Sequence, residues 1–393
     1  MPAPFEEKPI SRTPEEWAKE AVRLGGRTFH GKQIFKWIHA RGVFDASQMT
    51  DIPLALREKL ASELGPVLNL SSELRSTDNT RKLLVTMADG ATVETVLIPA
   101  VTGRGSKSVD EGPEDADAAA ADDDGGDDES EGDTKSNEAI RVTQCISTQV
   151  GCAMGCVFCA SGVAGLKRHM RPDEVVSQVL LGRSRLDPNE QLRNIVFMGM
   201  GEPLHNYEAT KATLKLLTHP EGISLSPRRI TVSTSGLIPE IARLGEDFAG
   251  NIGLAISLHA ADDDTRTRLM PINKKYPLAA LMDALRAYPL PKRRRITIEY
   301  TLVAGKNDSA EEARKLVRLL KALPVKINLI PMNPIDASTL GPPNLAGVRV
   351  FQNVLTDAGY SCFIRKRRGD DVSAACGQLA LLGAKPKVRV NRD

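Results

Sequence analysis

The chain has no long apolar run and no obvious export signal. No stretch of its 393 residues approaches 18 consecutive apolar side chains, about the minimum for a membrane-spanning helix. The segment from Met1 to Thr13 also lacks the basic start and apolar run of a signal peptide. We therefore expect neither a membrane segment nor export, and a cytoplasmic location.

Cysteines and aromatic residues are also scarce. Six cysteines are few for a disulfide scaffold of this length, and four of them lie between Cys145 and Cys159. This clustering indicates chemistry rather than disulfide cross-linking. Aromatic residues make up only 4% of the chain, so a nucleic-acid partner is expected to be recognised by its folded shape more than by base stacking.

The small formal net charge of +2 hides a basic chain. Thirteen acidic residues and no basic one lie between Asp110 and Asp133; without them the net charge would be +15. Such a surplus favours a polyanionic partner such as nucleic acid, with a merely solvated basic surface as the alternative. Basic clusters that are candidates for phosphate contacts are Arg228-Arg229, Lys292 to Arg295, Arg365 to Arg368, and the tail with Lys385 and Lys387.

Apolar spacing and composition divide the chain into five parts. Apolar residues recur at helical spacing between Trp17 and Leu60, and two β-rich runs, Lys82 to Met87 and Thr92 to Ile98, flank the turn residues Asp89-Gly90. The predicted parts are a helical RNA-binding-type domain (1–72), a linking β-hairpin (73–100), an acidic disordered insertion (101–138), a large domain (139–383) and a basic tail (384–393).

The large domain alternates β-branched runs with helical patterns. The predicted strands are a first one near Cys145 to Gln149, then Asn194 to Met198, Arg229 to Thr234, Asn251 to Leu258, Arg295 to Thr301 and Val325 to Ile330. About six such repeats predict an α/β fold, a partial (β/α)6 barrel similar to a TIM barrel. Barrels of this kind carry their chemistry at the C-terminal ends of the strands.

Three cysteines form a Cys-x3-Cys-x2-Cys loop directly after the first predicted strand: Cys152, Cys156 and Cys159. Three thiolates can hold three irons of a [4Fe–4S] cluster and leave the fourth iron open to a small molecule. The alternatives are a zinc site completed by Cys145 or His169, and buried inert cysteines. A structural zinc site usually takes its ligands from two pairs of closely spaced residues rather than from one group of three. This favours the cluster.

The loop and its surroundings resemble a known family. From roughly Trp17 to Gly383, apart from the acidic insertion, the chain is similar to the radical S-adenosylmethionine superfamily. Within it, the chain resembles the bacterial dual-specificity ribosomal and transfer RNA adenine-C2 methyltransferases. The motifs that carry the resemblance are Val93-Glu-Thr-Val, Cys145-x6-Cys152, Gly199-Met-Gly-Glu-Pro, Ser257-Leu-His and Ala375-Cys-Gly.

The resemblance implies a role for each matching residue. Cys152, Cys156 and Cys159 would hold the cluster. S-adenosylmethionine would be bound by Gly201, Glu202, Ser233, Ser257, Leu258, His259 and Asn333. Cys376 would carry a methyl group, with Cys145 as its partner and Glu94 as general base; from the residues alone, Glu94 is equally plausible as an exposed strand carboxylate. Cys362 matches no motif and is predicted to be strand core.

The implied reaction explains why thiols beyond the cluster are needed. The C2 atom of adenine is a poor nucleophile, but a radical can add to it. As the resemblance implies, one S-adenosylmethionine methylates Cys376. A second is cleaved to a deoxyadenosyl radical, which removes hydrogen from that methyl group. The carbon radical adds to adenine. The adduct then loses an electron and a proton, and disulfide formation between Cys145 and Cys376 releases the methylated RNA.

The implied substrates are 23S ribosomal RNA at the peptidyl transferase centre and transfer RNA next to the anticodon. We further expect a flavodoxin-type electron donor and a monomer. Two other functions remain open from the sequence. One is a C8-specific adenosine methyltransferase of the related resistance branch, and the other is a non-catalytic iron–sulfur protein that binds RNA or senses redox state.

Overall fold

The computed structural model describes residues 9–65, 67–100, 139–335 and 338–379. The acidic segment (101–138) and the basic tail (384–393) lie outside these residues, so the predictions made for them stay predictions. None of the helices in the described ranges combines the length and apolar character that crossing a membrane requires.

The N-terminal part is helical, as predicted. It contains α1 (Pro14–Arg23), α2 (His30–Phe35), which continues as a π-helical turn (Lys36–Ala40), and α3 (Leu54–Glu63). A capping box starts α1: the Thr13 amide donates to Glu16, and the Glu16 amide donates to the Thr13 hydroxyl. Trp17 on the inner face is fully buried.

Several basic side chains of these helices make internal contacts. Arg57 donates to the Ser47 carbonyl at 2.8 Å, and Lys59 donates to the Leu24 carbonyl at 2.8 Å. Lys36 pairs with Glu221 of the large domain at 2.8 Å. These three basic side chains are therefore engaged within the protein.

Ten strands form one sheet in the order β1-β2-β3-β4-β7-β8-β9-β10-β11-β12. Strands β1 to β4 pair antiparallel, and β4 and β7 to β12 pair parallel. The predicted α/β barrel-type fold and the β2–β3 hairpin are confirmed. The strands are β1 (Asn69–Arg75), β2 (Arg81–Thr86), β3 (Thr92–Pro99), β4 (Ile140–Cys145), β5 (Gln149–Val150), β6 (Arg168–His169), β7 (Glu190–Phe197), β8 (Ile230–Thr234), β9 (Gly253–Ser257), β10 (Ile296–Leu302), β11 (Val325–Pro331) and β12 (Ser361–Ile364).

Helices connect the parallel strands, so the strands' C-terminal ends meet at one edge. The helices are α4 (Ala160–Ala164), α5 (Pro172–Ser184), α6 (Tyr207–Thr218), α7 (Ile238–Phe248), α8 (Asp263–Leu269), α9 (Leu278–Ala287), α10 (Ala310–Leu319) and α11 (Leu345–Asp357). Strand β12 is a seventh parallel strand beyond the six predicted, and Cys362 is buried in it as expected.

Strands β4 and β1 also differ from the sequence prediction. The first parallel strand is Ile140–Cys145, so the predicted position near Cys145 to Gln149 was wrong by several residues. The predicted stretch falls mostly on the loop that leads from β4 to the cysteine motif. Strand β1 was not predicted, because its mostly exposed, polar edge residues show no apolar alternation; it spans residue 72, the expected end of the helical domain.

The segment after β12 returns to the far edge of the sheet. The Ser76 hydroxyl and the Thr77 amide donate to the Asp371 carboxylate, and the Gly369 amide donates to Asp78 at 3.1 Å. Arg368 pairs with Asp78 at 2.8 Å. These contacts position the stretch that carries Cys376.

Candidate active site

One cavity lies at the C-terminal ends of the parallel strands, and the three motif cysteines line it. Burial raises the pKa of the Cys152 thiol to about 12, and it also raises the pKa values of Cys156 and Cys159 above the usual range. Thiolates in such surroundings need positive charge nearby, which metal ions supply. The donor set therefore fits a metal group.

The arrangement of the thiols bears on which metal group fits. In the described part of the chain, no three His, Cys, Asp or Glu side chains are placed to bind a single metal ion. Zinc requires ligands that converge on one ion, whereas each cysteine of an iron–sulfur cluster binds its own iron. His169, the proposed fourth zinc ligand, is instead within 3.0 Å of the Gln149 side-chain amide. His169 therefore has a side-chain partner other than the cysteine loop.

The loop after β7 brings backbone and a carboxylate to the cavity. At Gly201, φ is +104°, and a Cβ atom would lie 2.6 Å from the Gln149 side chain, so only glycine fits there. Glu202 is buried and accepts hydrogen bonds from the Ser235 amide at 2.7 Å and hydroxyl at 2.8 Å. Burial raises the pKa of Glu202, and these hydrogen bonds oppose that rise. A carboxylate held in this way can accept from an ammonium group.

We predict that Glu202→Gln weakens S-adenosylmethionine binding about 10- to 100-fold. A hydrogen bond to a charged group contributes roughly 1.5–3 kcal/mol, and about 1.4 kcal/mol is tenfold in affinity. Equilibrium dialysis on the reconstituted protein measures the change. The matched control is Glu208→Gln, whose side chain is 76% exposed on α6. Equal affinities for wild type and Glu202→Gln would contradict the assigned role.

The ends of β8 and β9 contribute Ser233, Ser257 and His259, all of which line the cavity. The Thr301 amide donates to His259 Nδ1 at 2.8 Å, and burial lowers the pKa of this imidazole to about 3. The neutral ring therefore carries its proton on Nε2, which makes it a hydrogen-bond donor. Leu258 differs from its neighbours: its side chain is fully buried in the core and does not line the cavity.

The segment around Cys376 lies against the cysteine loop, although it is far away in sequence. Cys376 lines the same cavity as the three motif cysteines. The Ala160 amide donates to the Gly377 carbonyl at 2.9 Å, and the Asn333 side chain donates to the Cys376 carbonyl at 2.9 Å. Asn333 Oδ1 is buried without a hydrogen-bond partner in the described structure. This acceptor is available to a bound molecule.

Cys145 ends β4 behind the cavity and is buried. Burial, and to a lesser degree the negative charge of the Cys376 thiolate, raise the pKa of Cys145 to about 12. Both are free thiols in this structure.

Glu94, like Cys145 and Leu258, is a predicted site residue that does not line the cavity. It is buried in β3, and its carboxylate pairs with Lys82 at 3.0 Å. Its backbone carbonyl accepts from the Ser147 hydroxyl at 2.6 Å. Lys82 also donates to the Ser373 carbonyl at 3.3 Å, which connects Glu94 to the Cys376 segment.

Sequence reasoning missed several polar residues that line the cavity, among them Glu299, Thr301 and Arg365. The sequence does carry a signal for Glu299 and Thr301, because polar residues alternate with apolar ones along β10 and so share one face of the strand. Arg365 was assigned to a basic cluster for phosphate contacts; the structure places it at the cavity instead. No local pattern distinguishes it from its basic neighbours.

The chain matches two family models. Residues 146–320 match the radical SAM superfamily, and residues 14–64 match the N-terminal domain of ribosomal RNA large subunit methyltransferases. A curated relative from Sorangium cellulosum, a dual-specificity RNA methyltransferase RlmN, is 66% identical over 97% of both chains. The RlmN of Geobacter sulfurreducens is 42% identical over 93% of this chain and 89% of its own.

A solved structure agrees with these matches. A radical SAM methyltransferase from Sphaerobacter thermophilus superposes with a TM-score of 0.81 at 37% identity, covering 95% of this chain and 99% of its own. Identity of this level over nearly the whole length, together with the thiol-lined cavity, means that the chain belongs to the RlmN family of dual-specificity RNA methyltransferases in the radical SAM superfamily.

Proposed function

We propose that this enzyme methylates C2 of adenosine in 23S ribosomal RNA, at the peptidyl transferase centre, and in transfer RNA next to the anticodon. The observation that carries the proposal is that Cys376 and the three motif cysteines line one cavity. The names of the relatives support RNA as the substrate. Membership of this family makes the chain an enzyme and leaves the non-catalytic alternative without support.

The proposed cofactor site follows from the donor set. Cys152, Cys156 and Cys159 hold a [4Fe–4S] cluster, which supplies the electron that cleaves S-adenosylmethionine. Two molecules of S-adenosylmethionine are used per turnover. Their binding residues are Gly201, Glu202, Ser233, Ser257, Leu258, His259 and Asn333. Leu258 would act through the second lone pair of its carbonyl, since its side chain lies in the core and its amide donates to the Glu299 carbonyl at 3.0 Å. The unpartnered Oδ1 of Asn333 supports this assignment.

The two further thiols have separate proposed roles. Cys376 carries the methyl group on its sulfur, and its position in the cavity lining supports contact with substrate. Cys145 forms a disulfide with Cys376 as the methylated RNA leaves, and external thiols then reduce this bond. Because burial raises the pKa of Cys145 to about 12, a base must take the proton of this thiol before it can attack as a thiolate. Glu94 remains the proposed general base.

RNA contact would use basic residues that are exposed and outside the cavity. Lys32 and Arg41 in the helical domain, and Arg228, Lys292 and Arg293 near the barrel, are exposed. The match of residues 14–64 to an RNA methyltransferase domain supports a role in RNA binding for the expected domain 1–72. Binding is expected to weaken steeply as salt is raised.

We also propose a flavodoxin-type electron donor, a monomer and a cytoplasmic location. The chemistry supports the electron donor, since the cluster must receive one electron for each S-adenosylmethionine molecule that it cleaves.

The deciding experiment is anaerobic cluster reconstitution followed by assays on 23S ribosomal RNA and transfer RNA. Mass spectrometry of digested nucleosides should find 2-methyladenosine from both RNAs. Finding 8-methyladenosine would assign the enzyme to the C8 branch, and product from only one RNA would refute dual specificity.

A further inference from the structure

Arg266, in α8, is a fully buried arginine that none of the roles above uses. Its Nε donates to the Leu258 carbonyl at 3.1 Å. Its terminal nitrogens donate to the Ser235 carbonyl at 2.7 Å, the Ser257 carbonyl at 3.3 Å and Asn273 Oδ1 at 2.9 Å. One planar group therefore holds the backbone at the ends of both β8 and β9, where the cavity lies.

The same arginine is connected to the carboxylate of the site through one residue. Ser235 accepts from Arg266 with its carbonyl, and it donates to Glu202 with both its amide and its hydroxyl. The position of Glu202 thus depends on Ser235, and the Arg266 guanidinium fixes the Ser235 carbonyl. Loss of the Arg266 hydrogen bonds would release the Ser235 backbone that orients Glu202.

Helix α8 also contacts the cysteine loop. The Val157 amide donates to the Leu269 carbonyl at 3.1 Å, and Leu269 lies three residues beyond Arg266 in the same helix. Phe158, Leu269 and Met270 form a small buried cluster with Cys156 and Cys159 packed against it. Arg266 therefore belongs to the element that joins the cysteine loop to the strand ends.

The charge of Arg266 is balanced by no hydrogen-bonded carboxylate in the described structure. All four acceptors are neutral oxygens. Burial lowers its pKa to about 10, and the negative charges of Cys156 and Asp263 oppose that fall, so the group remains charged at neutral pH. Cluster thiolates are negative, and reduction adds one more electron. A buried cation on the helix that contacts the cysteine loop favours the reduced form, since the interior screens charge weakly.

We propose that Arg266 is a positioning residue that fixes the S-adenosylmethionine site to the cysteine loop and, through its charge, makes the cluster easier to reduce. The inference rests on the assignment of Cys152, Cys156 and Cys159 to a [4Fe–4S] cluster. The charge and the four hydrogen bonds of Arg266 can be tested separately. Lysine keeps the positive charge but cannot make all four hydrogen bonds, and glutamine removes the charge.

The test uses the reconstituted full-length enzyme and the variants Arg266→Gln and Arg266→Lys. Arg268→Gln is the matched control, because Arg268 is exposed on the same helix. Iron content and melting temperature are measured first. Electron paramagnetic resonance during titration with dithionite, a one-electron reductant of the cluster, then measures the reduction potential. The change in that signal on adding S-adenosylmethionine measures its affinity.

In Arg266→Gln we expect the ratio of reduced to oxidised cluster at a fixed potential to fall about tenfold, which for a one-electron couple is about 59 mV. Arg266→Lys should keep a near-wild-type potential but bind S-adenosylmethionine about tenfold more weakly. A wild-type potential in Arg266→Gln, or wild-type affinity in Arg266→Lys, overturns the proposal. If Arg266→Gln fails to fold, the affinity of Arg266→Lys decides. A wild-type protein without a cluster would refute the proposed function instead.

Discussion

Replacing Cys376 with alanine should abolish methyladenosine formation while leaving the iron content unchanged. Cys376 lines the cavity but lies outside the cysteine loop, so its loss removes the methyl carrier without removing a cluster ligand. Without a carrier there is no route to the poorly nucleophilic adenine carbon, and product should fall below detection. The measurement is mass spectrometry of nucleosides from treated RNA, with iron determined on the same sample.

Cys362→Ala is the matched control for this variant. Cys362 is a buried cysteine in β12 that does not line the cavity. Its truncation should cost some stability, roughly 1–2 kcal/mol for a small buried side chain, with activity retained. Methylated product from Cys376→Ala would eliminate the methyl-carrier role, whatever the behaviour of the control.

Replacing Cys156 with alanine should remove the cluster and every activity that depends on it. Changes to residues that merely orient a metal ligand typically cost 10–100-fold, so loss of a ligand itself should reduce S-adenosylmethionine cleavage by more than about 100-fold. Iron and sulfide analysis, the visible absorbance of the cluster and deoxyadenosine formation after reduction measure the effect.

Val157→Ala provides the comparison in the same loop. The contact that Val157 makes with α8 uses its backbone amide, which alanine retains. This variant should keep its iron and its cleavage activity. Should Cys156→Ala hold a full complement of iron, the assignment of the three cysteines to the cluster would be wrong.

Much of the fold was predictable because its signals are local. Alternating strand and helix patterns from Asn194 onward predicted the parallel strands, and Asp89-Gly90 predicted the hairpin. The failures have physical reasons. The polar edge strand β1 lacks an apolar face, and the β-branched stretch after Cys145 resembles a strand but leads to the cysteine loop.

The chemistry of the site was predictable to a lesser extent. The close spacing of Cys152, Cys156 and Cys159 was enough to indicate a loop with three cluster ligands, since all three lie in one short segment. That Cys376 reaches this loop depends on long-range contacts: Ala160 to Gly377, and Asp371 to the β1–β2 turn. Arg266 carried no signal at all, because its role exists only where the ends of β8 and β9 meet α8. Residue spacing can specify a ligand set, but burial and convergence of distant segments arise only when the chain folds.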